Sequence, residues 1–260
     1  GVTKTPARVY LALRYAKPAQ GSDMDVDAVI VAFALKQFTN DHCDTLLLEV
    51  LRKRKNPAVA PSLLEYCRIT GNTKAALASI QICRSLASEK DFAKFIDIID
   101  FTGNSAIRQA AEDAAAAILI KSSQRLSLGV KVSSSLGTAT NAEVKYALIR
   151  LLGCVGGVNA VATVKTALAA TDKNEQLAAA IAMASWPDDT MFDLLIDYLG
   201  TLGDAPSRAL VFDACVRFVA NPNQPRTPET DAKLWSLLAN KTTSPAESTQ
   251  IIRARAANKK

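Results

Sequence analysis

The chain has 260 residues and a mass of 27.7 kDa, enough for one compact domain, two small ones or an elongated array. With 49% apolar and 22% charged residues it is not a disordered chain, and 11 Gly with 10 Pro exclude a fibrous repeat or a linker protein. Thirty-one basic against 25 acidic residues give a formal charge of +6, which aids solubility and suits anionic partners without selecting nucleic acid.

Aromatic residues make up only 6% of the chain, whereas Ala occurs 44 times, a bias that suits closely packed helices better than sheets. The apolar residues recur at helical spacing. Val26, Val29, Ile30 and Phe33 form one stripe, Phe92, Phe95, Ile96 and Ile99 a second, and Phe192, Leu195, Ile196 and Leu199 a third. Positions three and four apart share a helix face, and none of these sets alternates as a strand would. The pattern predicts helices over 5–16, 25–38, 43–54, 59–69, 73–86, 89–101, 104–121, 123–135, 141–155, 158–170, 174–185, 189–200, 206–220, 229–239 and 245–257. Gly and Pro punctuate the connections, as at Asn56-Pro57, Gly71-Asn72, Thr102-Gly103-Asn104, Gly156-Gly157 and Pro187-Asp188. Asn, Ser or Asp at the following starts can accept the free amides of the first turn. Loops this short imply antiparallel neighbours.

The unit repeats. Ala147, Leu148, Leu151 and Leu152 correspond at a 32-residue offset to Ala179, Ala180, Met183 and Ala184, with an earlier version at 105–119 and a later one at 206–219. Val144-Lys145 and Ile107-Arg108 each place a basic residue after a first-turn apolar one, and a second apolar helix follows the Gly156-Gly157 turn. These features resemble HEAT repeats, clearly over 104–220 and in degenerate form over 25–103; Trp186-Pro187 departs from the usual Gly-rich turn. The resemblance implies an all-α fold, a right-handed α-α superhelix built as a HEAT-like solenoid of antiparallel hairpins. A single hairpin cannot bury both of its apolar stripes, so neighbours must stack. The solenoid is expected over 1–220, an exposed loop over 221–229 (where Pro and polar residues interrupt the stripes) and a terminal helical cap over 230–260.

Residues suited to chemistry are scattered. His42 is the sole imidazole, and its neighbour Cys43 faces a different side of any helix containing both. The five cysteines show neither CxxC spacing nor a zinc pattern. Glu112-Asp113, Asp188-Asp189 and Asp193/Asp197 are carboxylate pairs of a kind common on solvated helices. No catalytic residue, cofactor or metal site is therefore expected. The aromatic binding candidates are Tyr10, Tyr15, Tyr66, Tyr146, Trp186 and Trp235; Trp186 stands out at a turn beside Pro187, where it could face a partner. The run Arg52-Lys53-Arg54-Lys55 offers an anion surface, with a smaller basic group at Arg253, Arg255, Lys259 and Lys260. The run has no interleaved aromatic residues and is local, which argues against nucleic acid.

The expected function is a non-catalytic scaffold or protein-interaction module, partnered by another protein or by flanking domains of a larger bacterial polypeptide. The alternative is an accessory domain of a carbohydrate-processing protein. No stretch is long and apolar enough to span a membrane. The start at Gly1-Val2-Thr3-Lys4 suggests processing, and a removed signal peptide would imply an exported or periplasmic setting.

Overall fold

The structure, a computed structural model, describes residues 41–221, 224 and 226–258, with side chains from Leu48 to Ala257. The helices expected over 5–16 and 25–38 lie outside these residues. Every regular element among them is helical. The chain divides into two compact units, meeting at Gln124 and Arg125.

The first unit carries α1 (Asp41–Arg54), α2 (Ala60–Ile69), α3 (Thr73–Leu86), α4 (Phe92–Phe101) and α5 (Ser105–Lys121). Asn72 and Asn104 begin α3 and α5 in the same way, each accepting two first-turn amides on its side chain. The Thr before each Gly-Asn pair also recurs: Thr70 and Thr102 accept the Asn72 and Asn104 amides, both at 3.2 Å. A single 3-10 turn leads into α2 at Pro57–Val59 and into α4 at Glu89–Asp91. That turn is why these α-helices start one to three residues later than their apolar patterns. Chain direction follows from the cross-contacts. Cys83 near the end of α3 reaches the Ala60 carbonyl at the start of α2, so these helices run antiparallel. Asn104 donates to Thr73 at 3.3 Å, which sets α3 and α5 parallel. Thus α1, α3 and α5 form one layer, each touching the next, and α2 and α4 form the other.

The second unit carries α6 (Arg125–Thr138), α7 (Ala142–Val155), α8 (Gly157–Leu168), α9 (Lys173–Ala184), α10 (Phe192–Thr201), α11 (Ala205–Val219), α12 (Pro228–Ala239) and α13 (Pro245–Asn258). Asn141, Asp172 and Asp204 cap α7, α9 and α11, and α7, α9, α11 and α13 make successive direct contacts as one layer. Four residues past the cap, a long polar side chain clasps the preceding helix: Gln176 donates to the Ala170 carbonyl at 2.7 Å and Arg208 to that of Leu199 at 3.0 Å. Arg108 in the first unit does the same to Thr102 at 2.7 Å. These bonds tie each helix start to the chain at the end of the preceding helix, where carbonyls lack a full set of intrahelical donors. The expected core stripe is in place, with Ala147, Leu148, Leu151 and Leu152 all buried on α7.

Each unit is therefore an all-α stack of helical pairs in two layers, the organisation of an α-α solenoid. Within the segment 221–229, expected as an exposed loop, Arg226 is held in place. Its guanidinium meets Asp189 at 2.8 Å, donates to the Val219 and Phe218 carbonyls and lies over the Phe218 ring, leaving the side chain 4% exposed. Beyond it, α12 and α13 continue the two-layer alternation.

Candidate partner-binding surface

The basic run occupies the last turn of α1, where cations suit the negative end of the helix dipole. Lys55 follows with φ 51°, a left-handed residue that ends the helix. Arg52, Lys53 and Lys55 are exposed and Arg54 is half-buried. Lys53 is paired with Glu49 one turn earlier at 2.9 Å, both side chains in solvent. Such a pair contributes little to stability, but it offsets the acidic charge nearest to Arg52.

Arg52 stands on the edge of a half-open groove of about 580 Å³ between α1 and α3. The floor is Leu48 from α1 and Ala75, Ala78 and Ile82 from α3; Glu49, Arg52, Lys74, Gln81 and Ser85 complete the described lining. Lys74, Ala78, Gln81 and Ser85 follow helical spacing, so a single face of α3 builds one wall. The sequence of α3 contains no acidic residue. A second depression of about 270 Å³ lies between α3 and α5, with Arg84 and Lys121 at its edge. Its carboxylate, Glu89, accepts the Ser122 hydroxyl. Arg84 follows Arg52 by 32 residues, the spacing of the caps Asn72 and Asn104. The basic position of Arg52 thus recurs once, at Arg84 in the next hairpin, and gives way to Ala116 one step further on. The expectation of a purely local run missed Lys74, Arg84 and Lys121, and the signal that exposes Arg84 is the repeat offset.

Trp186 does not belong to this surface. It is 2% exposed and follows α9 in the second unit, where the Trp186-Pro187 turn packs over Gly156. A Cβ on Gly156 would lie 2.7 Å from Pro187 Cγ and 4.0 Å from Trp186 Nε1. The ring fills the space left by a glycine one hairpin earlier, so the expected partner contact is replaced by an internal one. Tyr66, Tyr146 and Trp235 are also buried; Tyr10 and Tyr15 lie outside the described residues.

The remaining candidates are dispersed. Asp193 and Asp197 are exposed on α10, whereas Glu112 is buried on α5 and its neighbour Asp113 is in solvent. Asp188 accepts the Thr190 amide at 3.0 Å and Asp189 holds Arg226. Burial pushes the Cys67 thiol up to about 11 and that of Cys215 to about 12, and it raises Cys83 as well. Such thiols are poor nucleophiles at neutral pH. Tyr146 donates to Asp172 at the α7–α9 joint, and that bond, with burial, pushes its hydroxyl up to about 12. The side chains of His42 and Cys43 lie outside those described, as do Lys259 and Lys260. Arg253 is exposed and Arg255 lies over the Trp235 ring. Among the described residues no group of three or more His, Cys, Asp and Glu could hold a metal ion, and no helix is long and apolar enough to cross a membrane.

The sequence matches no protein-family model. It also matches no curated protein. Among solved structures it is similar to the archaeal HEAT-like repeats protein of Thermococcus onnurineus NA1, at 11% identity and a TM-score of 0.39, over 100% of this chain and 98% of that one.

Proposed function

We propose that the chain is a non-catalytic helical-repeat module that binds another protein, or a flanking domain of its own polypeptide, through the layer formed by α1, α3 and α5. The observation that carries this reading is the recurrence of exposed basic side chains, Arg52 and Arg84, beside open grooves at successive hairpins. Repeat proteins of this kind use an extended surface rather than a single deep pocket. The run Arg52-Lys53-Arg54-Lys55 contributes long-range attraction to an acidic partner, an effect that weakens as salt screens it. Two features support a binding role over catalysis. Asp172, Asp189 and Glu247 of the second unit are engaged in caps and joints, and the buried thiols of Cys67 and Cys215 are held protonated.

The test immobilises the purified chain and captures partners from extract of cells that express it, comparing wild type with a variant neutralised at Arg52, Lys53, Arg54 and Lys55. Specific, salt-sensitive capture that the variant loses is expected. In parallel, glycoside, phosphate-ester and peptide substrates are offered to the protein. Turnover that follows the protein through purification and vanishes on replacing one carboxylate overturns the reading.

A further inference from the structure

The groove between α1 and α3 differs from an ordinary crevice because its two chemistries are separated in space. Its floor is aliphatic, from Leu48, Ala75, Ala78 and Ile82, and its charged edge carries Arg52 and Glu49 on one helix and Lys74 on the other. Glu49 also lines the groove, but Lys53 pairs with it at 2.9 Å, so Arg52 and Lys74 leave the described lining with a net positive charge. The wall from Lys74 to Ser85 runs about 16 Å at the helical rise per residue, or about three turns of a helix laid alongside it.

These features exclude simple occupants. A polyanion such as single-stranded nucleic acid would satisfy Arg52 and Lys74 but would find no aromatic platform among the described lining residues. A wholly apolar segment would cover the floor and leave the two cations with no counter-charge. A helix with small aliphatic residues on one face and carboxylates flanking it would satisfy both at once, by the helix-in-groove mode with anchors at three- and four-residue spacing.

The geometry points to the α1–α3 groove as the docking site for an acidic amphipathic helix of a partner protein. The inference rests on the interaction-module reading above and narrows it to one groove and one ligand chemistry. Arg52 and Lys74 fix the orientation by gripping carboxylates on opposite flanks, and Ala78 and Ala75 leave room for the partner's aliphatic side chains. Because the charges lie on the rim, they govern the rate of association and its salt dependence, whereas the floor governs residence time.

The test uses the whole chain and a fluorescein-labelled synthetic peptide of about three helical turns, with Leu along one face and Glu on the other. Anisotropy is measured against protein concentration at low and high salt. Three competitors accompany it: the same composition in scrambled order, the peptide with Lys for Glu, and a single-stranded DNA oligomer. Saturable binding is expected, weaker at high salt and at least about tenfold weaker for each competitor, the scale of a lost set of anchor contacts. Ala78→Trp, which fills the floor, should abolish binding. Arg52→Glu combined with Lys74→Glu lies at exposed positions and should weaken it by about tenfold or more while the thermal midpoint is retained. Equal affinity for the scrambled peptide or for DNA overturns the inference, as does unaltered binding by both variants or the lack of saturable binding. If partner capture persists in the Ala78→Trp and double variants, the groove assignment fails and the wider module reading stands. Failure of the wild-type chain to retain any partner overturns both.

Discussion

Counted from their N-cap residues Asn72 and Asn141, α3 and α7 reach the same step at Arg84 and at Gly153, and they use it in opposite ways. Arg84 is exposed at the edge of the depression between α3 and α5. Gly153 is buried against α9 so closely that a Cβ there would lie 2.2 Å from the Ala182 carbonyl oxygen. The difference extends to the joints. In the second unit, neighbouring hairpins are held by charged groups: Lys145 to Glu175 at 2.8 Å, Arg208 to Glu247 at 2.9 Å and Arg226 to Asp189 at 2.8 Å. In the first unit Lys94 donates to the Pro61 carbonyl at 3.4 Å, Ser122 to Glu89 and Asn104 to Thr73 at 3.3 Å, none of these an ion pair, and Ile80, Ile96 and Ile99 are buried. One repeat backbone therefore supports two uses. Where charge is spent on joints the helices close up, and where charge is left on the face the grooves stay open.

The largest expected effect comes from forcing the close joint apart. Gly153→Ala places a methyl group where the Ala182 backbone already stands, and backbone cannot rotate away as a flexible side chain can. We expect a loss of about 3 kcal/mol or more, comparable with the 2–5 kcal/mol, roughly, for truncating the neighbouring buried Leu151 to Ala. Both tryptophans, Trp186 and Trp235, belong to the second unit, so their fluorescence follows its unfolding while far-UV circular dichroism follows both units. The urea midpoint by fluorescence should drop well below that by circular dichroism. Coincident, unchanged transitions would show that the α7–α9 contact is not a close joint.

Next in size is the Arg226 anchor. Arg226→Met keeps much of the side-chain volume but removes the Arg226 bonds to the Val219 and Phe218 carbonyls, the latter keeping the Asn221 amide, and leaves Asp189 without its cation. Removing one member of a buried, hydrogen-bonded charge pair is costly even where the intact pair contributes little. Because Asp189 is one-third exposed, solvent softens the penalty, and we expect about 2 kcal/mol by the same fluorescence measurement. An equal effect from neutralising an exposed cation of the first unit would erase the contrast between the units.

The Arg208 joint makes the contrast dependent on pH. Burial alone would raise the Glu247 carboxyl, but bonds from Arg208 and from the Thr243 amide outweigh it and hold the group below its ordinary value of 4.5. A carboxylate whose folded value is depressed contributes stability above its unfolded value, and that contribution is lost as pH falls through the folded one. The second unit should therefore lose stability on acidification below about 4.5. Asp172 and Asp204 are lowered as well, by bonds from Tyr146 and Ser207, so the difference between wild type and Arg208→Gln isolates the joint. The variant should be weaker at neutral pH and lose less on acidification. Parallel pH curves would remove Glu247 from the account.

The helices and turns were legible before the structure, and the illegible part has a common cause. Helices followed directly from the apolar period, because burial of a stripe is a local pattern. Gly156-Gly157 was legible as a turn because φ of 70° and 83° demands glycine. The burial of Trp186 was hidden, since it depends on a glycine supplied by the preceding hairpin. The groove was hidden for the same reason: Arg52 and Lys74 line it from two helices, and only Arg52 stands out in its own segment. Contacts between hairpins become readable only when segments are aligned at the repeat offset, which pairs Arg52 with Arg84.

The smallest expected effect concerns that pair. In the second unit Arg208 and Arg226 each bond carbonyls and a carboxylate, so truncating either one removes structure. Arg52 and Arg84 are exposed beside open depressions, and a charge that stays hydrated in the folded state gains little from folding. Replacing both with Ala should change stability by no more than about 0.5 kcal/mol. Loss of two like charges from a chain of net +6 offsets part of whatever packing their stems provide. The circular-dichroism midpoint in urea should thus stay in place while salt-sensitive binding of acidic peptide declines. A drop of more than about 1 kcal/mol, beyond the range of surface changes, would mean that these arginines hold the first unit together as Arg226 holds the second. Charge would then be a joint in both units, and the open grooves beside α3 would need another origin.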